Sequence, residues 1–122
     1  MSEIRLVFDR SLAAPREARH ALREWLAEEP CPDRVRRDAL TVLSELVTNA
    51  VVHARSDAVI VGMFDDGRLR IEDHDVDRSP PRITATAGAD GGFGMRLVAA
   101  LTDAWGWHPT SSGKAVWTEM LC

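Results

Sequence analysis

From Leu43 to Ala54 the chain reads LSELVTNAVVHA, an apolar run interrupted at intervals of four by Glu45, Asn49 and His53. Four residues of an α-helix overshoot a full turn by about 40°, so these three side chains form one slowly winding polar stripe. Ala39, Leu43, Leu46, Val47, Ala50 and Ala54 form a second, apolar stripe pointing well away from it. Val42, Val51 and Val52 occupy the remaining flank beside Ser44 and Thr48, so the pattern predicts a largely buried helix. Asp33 is the expected N-cap, and the helix is expected to run to about Ala54. A carboxylate on such a helix costs free energy unless it is hydrogen-bonded, paired or held near a metal ion. Either Glu45 and Asn49 are solvated on an exposed edge or tie down a loop, or they serve a ligand.

The rest of the chain divides on the same criterion. Ile4 to Phe8 is a short candidate strand, and Pro15 opens a helical pattern to about Glu28 in which Ala18, Leu22, Trp25 and Leu26 recur. Pro30-Cys31-Pro32 stops it. Ala58 to Phe64 and Leu69 to Asp75 alternate as strands, and Asp65-Asp66-Gly67-Arg68 between them is a hairpin signal. Arg78 to Gly91 has no periodicity, and loops of that length are usually functional or disordered. A helix is expected from Gly94 to about Asp103, then strands near Ala104 to His108 and Ala115 to Leu121. The order β, α, α, β, β, loop, α, β, β predicts one α+β domain, a two-layer α/β sandwich whose helices lie on one face of a mostly antiparallel mixed sheet.

Composition narrows the function classes without naming one. The 122 residues carry 45% hydrophobic and 28% charged residues, ordinary for one globular domain. A net charge of −4 supplies no basic footprint, so no direct nucleic-acid contact is expected. No apolar run approaches the ~20 residues of a spanning helix, and MSEIRLVFDR lacks a signal-peptide core, which makes a cytoplasmic protein with no membrane contact the expectation. Cys31 and Cys122 have no metal-ligand spacing and no disulfide framework, and both are read as reduced thiols. Trp25, Trp105, Trp107 and Trp117 are core or interface residues.

Two further segments bear on chemistry. Gly91-Gly92-Phe93-Gly94 directly precedes an apolar helix, where free backbone N–H groups attract phosphate oxygens, although glycines there also serve simple loop closure. Asp75 ends the second hairpin strand, and an ionised carboxylate at that place accepts hydrogen bonds from groups such as an exocyclic amine, or caps a loop. Asp73 shares its face with Leu69, Ile71 and Asp75, an apolar position by alternation. It is either a second acceptor at a pocket floor or a residue at a frayed strand end, the latter being slightly favoured.

In that order, the polar helix stripe, the strand-end aspartate and the glycine turn resemble the histidine-kinase-like ATPase superfamily, and within it the small bacterial anti-sigma-factor serine/threonine kinases. The resemblance covers nearly all of the chain and implies the Bergerat ATP-binding fold. Glu45-Leu46-Val47-Thr48-Asn49-Ala50 with His53-Ala54 looks like the family's N box. The resemblance implies that Asn49 holds Mg²⁺ bridging the nucleotide phosphates, and that Glu45 is the catalytic base. It implies that Asp75 recognises adenine, and that His53, Gly92, Gly94 and Met95 line the ATP site under a lid formed by Arg78 to Gly91. It further implies kinase activity toward a Ser/Thr of an antagonist (anti-anti-sigma) protein, sequestration of a sigma factor, and a possible homodimer. Two places depart from the family pattern. Asp75-Val76-Asp77-Arg78-Ser79 has no glycine where Asp-x-Gly-x-Gly is common, with Ser79-Pro80-Pro81 resembling the Pro-rich version of short relatives. The last strand opens Gly113-Lys114-Ala115 in place of Gly-Lys-Thr. The alternative is therefore a catalytically weak or inactive nucleotide-binding or protein-docking module of the same fold.

Overall fold

The computed structural model describes residues 1–53, 56–77 and 94–122, His53 in its backbone only. Ala54, the expected lid from Arg78 to Gly91, and Gly92 lie outside the described residues. Five strands, β1 (Ser2–Phe8), β2 (Ala58–Asp65), β3 (Arg68–Asp75), β4 (Ala104–Pro109) and β5 (Lys114–Leu121), form one sheet in the order β1-β2-β3-β5-β4. All four pairings are antiparallel. Helices α1 (Ala14–Ala27), α2 (Asp33–Thr48) and α3 (Met95–Leu101) form the second layer.

Burial follows the sequence periods. Helix α1 buries Ala14, Ala18, Leu22 and Leu26 at four-residue spacing. Helix α2 buries Val35, Ala39, Val42, Leu43, Leu46 and Val47, both apolar stripes at once, as a helix packed against neighbouring helices and the sheet requires. From the sheet, Ile60, Leu69, Ile71, Val116 and Met120 complete the core. Asp66 and Gly67 both have positive φ (51° and 72°), as a two-residue turn matched to strand twist demands. Trp25, Trp105 and Trp107 are half-buried against the core, whereas Trp117 lies on the outer sheet face beneath the Arg70 guanidinium, 4.8 Å from its ring centre.

Two local expectations are corrected. Asp33 is the first helical residue and not the cap: extended Pro32 (φ −61°, ψ 149°) precedes it, and no side chain caps the helix. Asp33 instead receives a hydrogen bond from Arg36 at 3.1 Å, one turn on. The long helix also does not continue as regular α to Ala54. It widens into a π-turn over Asn49–His53, and the Ser56 N–H then bonds back to the Ala50 carbonyl at 2.9 Å. Among the described residues no helix is long and apolar enough to cross a membrane.

Candidate functional site

The π-turn sits where the polar stripe begins to matter. Such insertions recur at functional sites because they re-aim side chains that a regular helix would place elsewhere. Glu45 and Asn49 are both half-buried, one turn apart at the end of α2. The π-turn that Asn49 opens packs against β3, the strand ending in Asp75, and α3 packs against α2. Helix α2 with its π-turn thus touches both the strand that carries Asp75 and the helix that Gly94 precedes.

Asp75 is 6% exposed and is held from several sides. Its Oδ1 accepts from the Asp77 N–H at 2.9 Å, an Asx-turn that shapes this glycine-free loop by side-chain hydrogen bonding. Lys114 Nζ donates to the same oxygen at 3.1 Å and to the Asp77 carbonyl at 3.2 Å. It also lies 2.9 Å from Asp75 Oδ2, within ion-pair distance but outside hydrogen-bond geometry, so that buried oxygen accepts no hydrogen bond from the described residues. A buried carboxylate oxygen in that state has the capacity to accept a further hydrogen bond.

Asp73 does not lie at a frayed end. It pairs with Ile60 on one side and Val116 on the other, in the interior of the sheet, and is 1% exposed. Its Oδ1 has no hydrogen-bond partner among the described residues, whereas equally buried Thr118 satisfies its hydroxyl on the Ile71 carbonyl at 3.0 Å. Burial, followed by the charge of Asp75, pushes the Asp73 carboxyl well above the usual carboxylate range, with Lys114 opposing.

Gly94 stands immediately before α3 with φ 59° and ψ −134°, a backbone conformation that side chains disfavour, and its carbonyl accepts the first helical bond from Leu97 at 3.1 Å. The Met95 side chain is wholly buried in the core, so what this residue can present to a ligand is its backbone N–H. His53 closes the π-turn. Among the described residues no three His, Cys, Asp or Glu side chains gather as a metal cage.

Two residues of this region escaped the sequence reading. Lys114 is the single lysine among fifteen basic residues, a signal available in the composition. Gly113, just before it, passes so close to β3 that a Cβ there would collide with the Asp75 carbonyl oxygen, which explains why Lys114 reaches that carboxylate. Ser56 is the other. Its hydroxyl accepts from the Val76 N–H at 3.2 Å and donates to the Asp57 carbonyl at 2.6 Å, fastening the segment after the π-turn to the Asp75 loop. Nothing in its sequence neighbourhood announces that contact.

No curated protein matches the sequence significantly. The crystal structure of the RsbU and RsbW domains of Rv1364c from Mycobacterium tuberculosis shares this fold, with a TM-score of 0.77 and 22% identity over 99% of this chain and 32% of that one. The chain therefore spans about a third of that structure's length. The family model for the histidine kinase-like ATPase domain matches residues 8–120. The chain belongs to the histidine kinase-like ATPase family.

Proposed function

We propose that this domain binds ATP with Mg²⁺ and transfers the γ-phosphate to a Ser or Thr of an antagonist protein, while also sequestering a sigma factor. The observation that carries the reading is the Glu45–Asn49 pair at the point where α2 opens into a π-turn against the Asp75 strand. Asn49 would hold the metal through its side-chain oxygen, Asp75 would receive the base through the vacant lone pairs of Oδ2, and the backbone at Gly94 and Met95 would meet phosphate. Bound Mg-ATP supplies an electrophilic phosphorus whose charge the metal neutralises. Glu45, one turn from Asn49, is placed to accept the proton of an incoming hydroxyl. The resemblance of the whole chain to an RsbW-containing structure supports a partner-switching role.

Calorimetric titration of Mg-ATP into wild type and Asn49→Ala tests the metal site: the variant is expected to bind at least tenfold more weakly, about 1.4 kcal/mol. Equal binding by both proteins would remove Asn49 from the metal. With labelled ATP and a candidate antagonist, serine phosphate should form with wild type and not with Glu45→Ala.

A second reading is favoured by one observation. Lys114 already bonds to Asp75, so an adenine amino group must share that carboxylate with a buried cation. In that case the domain is a docking module with weak nucleotide affinity, and it captures its partner equally well with and without ATP.

A further inference from the structure

Cys31 and Cys122 lie 91 positions apart in sequence, yet their sulfur atoms are 3.1 Å apart. That is about 1 Å beyond the ~2.05 Å of a disulfide bond. Both are thiols here. Neither is on a loose segment. Cys31 stands between two prolines, which restrict their own backbone and that of the residue preceding them, and its N–H donates to the Glu29 carbonyl at 2.8 Å. The Arg36 guanidinium donates to the same carbonyl at 2.7 Å, bracing the bend from the first turn of α2. On the other side, the Cys122 N–H donates to the Gly67 carbonyl at 2.8 Å, at the β2–β3 turn. Two anchored backbones therefore hold the thiols face to face.

Their environments differ. Cys31 is 5% exposed and Cys122 is exposed. Burial, then the contact with Cys122, pushes the Cys31 thiol up to about 12, and exposed Cys122 is the sulfur that an oxidant reaches first.

We propose that Cys31 and Cys122 are an oxidation site: on encounter with hydrogen peroxide they form a reversible intramolecular disulfide that clamps the start of α2 to the end of β5. The Cys122 thiolate attacks the peroxide; an S–O bond forms as the O–O bond breaks, giving the sulfenic acid and, once protonated, one water. The Cys31 sulfur then attacks the sulfenic sulfur, the S–S bond forms as the S–O bond breaks, and the hydroxyl leaves with the Cys31 proton as a second water. Two thiols lose two electrons and the peroxide gains them. Exchange with a small dithiol reverses the bond.

The clamp sits at the far end of both elements from the candidate site. Along α2 the rise from Asp33 to Glu45 is about 18 Å, and β5 runs from Lys114, beside Asp75, to Leu121 next to Cys122. Oxidation therefore acts on stability and leaves the Asn49–Asp75 region as it is.

The test treats the full chain with hydrogen peroxide, blocks residual thiols with N-ethylmaleimide, and maps peptides by mass. A Cys31–Cys122 peptide pair short of two hydrogens is expected. The thermal midpoint should rise by roughly 10 °C, because a long loop is closed in the unfolded chain, and should return on adding dithiothreitol. Mg-ATP titration should be the same before and after oxidation. In Cys31→Ala, where nothing resolves the intermediate, dimedone should label Cys122; Cys122→Ser should form no cross-link. Cys122–Cys122 dimers only, over-oxidised Cys122 with Cys31 free, or a cross-link that leaves the midpoint unmoved would each overturn the proposal.

Discussion

The two faces of β3 carry charge in opposite ways. On the outer face Arg70 donates to Glu72 at 2.6 Å and to Glu119 at 2.8 Å, and stacks over Trp117, while His74 lies 3.0 Å from Glu72. Arg70, Glu72, Glu119 and His74 each have a partner there and partial contact with water. Burial alone would raise Glu72, but its hydrogen bonds to Arg70 and His74 outweigh burial and hold it below the usual carboxylate range. On the inner face Asp75 pairs with Lys114, whose charge also acts on Asp73, and among the described residues each carboxylate keeps an oxygen that accepts no hydrogen bond. The outer set reads as a settled surface network. The inner set is unsettled, and a domain tolerates buried, under-satisfied carboxylates where a ligand completes them.

The largest test of this contrast removes the shared cation. Lys114→Met leaves Asp75 buried without its ion pair and should cost about 3 kcal/mol, read by urea denaturation at neutral pH. A loss no greater than that of a surface substitution would show that the inner pair is solvated and would erase the distinction.

Asp73 supplies the next largest effect, with opposite sign. A carboxyl raised above its ordinary 3.8 binds more protons folded than unfolded, so its penalty is absent below that value. The penalty then grows as pH rises toward the folded value. Asp73→Val, between Ile60 and Val116, should therefore stabilise the fold by about 1–3 kcal/mol near neutrality, the gain disappearing as pH falls toward 4. Melting curves across that range check it, and a destabilised variant would mean that Asp73 is satisfied in solution. Any accompanying loss of Mg-ATP affinity would assign the carboxyl a place at the pocket floor.

On the outer face Arg70→Met should cost no more than about 1 kcal/mol, the ordinary scale for a partly exposed ion pair. Glu72 contributes stability above its ordinary 4.5, and loses it as pH falls through its lowered folded value. In the variant that acid-limb contribution should shrink, and carboxyl NMR should show Glu72 titrating at higher pH.

Much of this was legible before any coordinates. The stripe of Glu45 and Asn49, the Asp66-Gly67 turn and the buried spacing of Ala18, Leu22 and Leu26 are local patterns, and each reappears in the fold. The π-turn at Asn49–His53 was not legible, because widening a helix leaves the sequence period nearly intact while changing where side chains point. Asp73 was misplaced because a strand's pattern states its face and not its depth; pairing on both sides set the depth.

What the amino-acid sequence determined by itself is the set of elements, their buried faces and the family motifs on them, since a helix or strand must hide the apolar side its own periodicity creates. Only the tertiary structure decided which distant residues meet. The antiparallel register sets Lys114 opposite Asp75, and the joining of the two layers brings Cys31 to Cys122. Register and layer docking are settled by packing summed over the whole core, and no local stretch of sequence contains that sum.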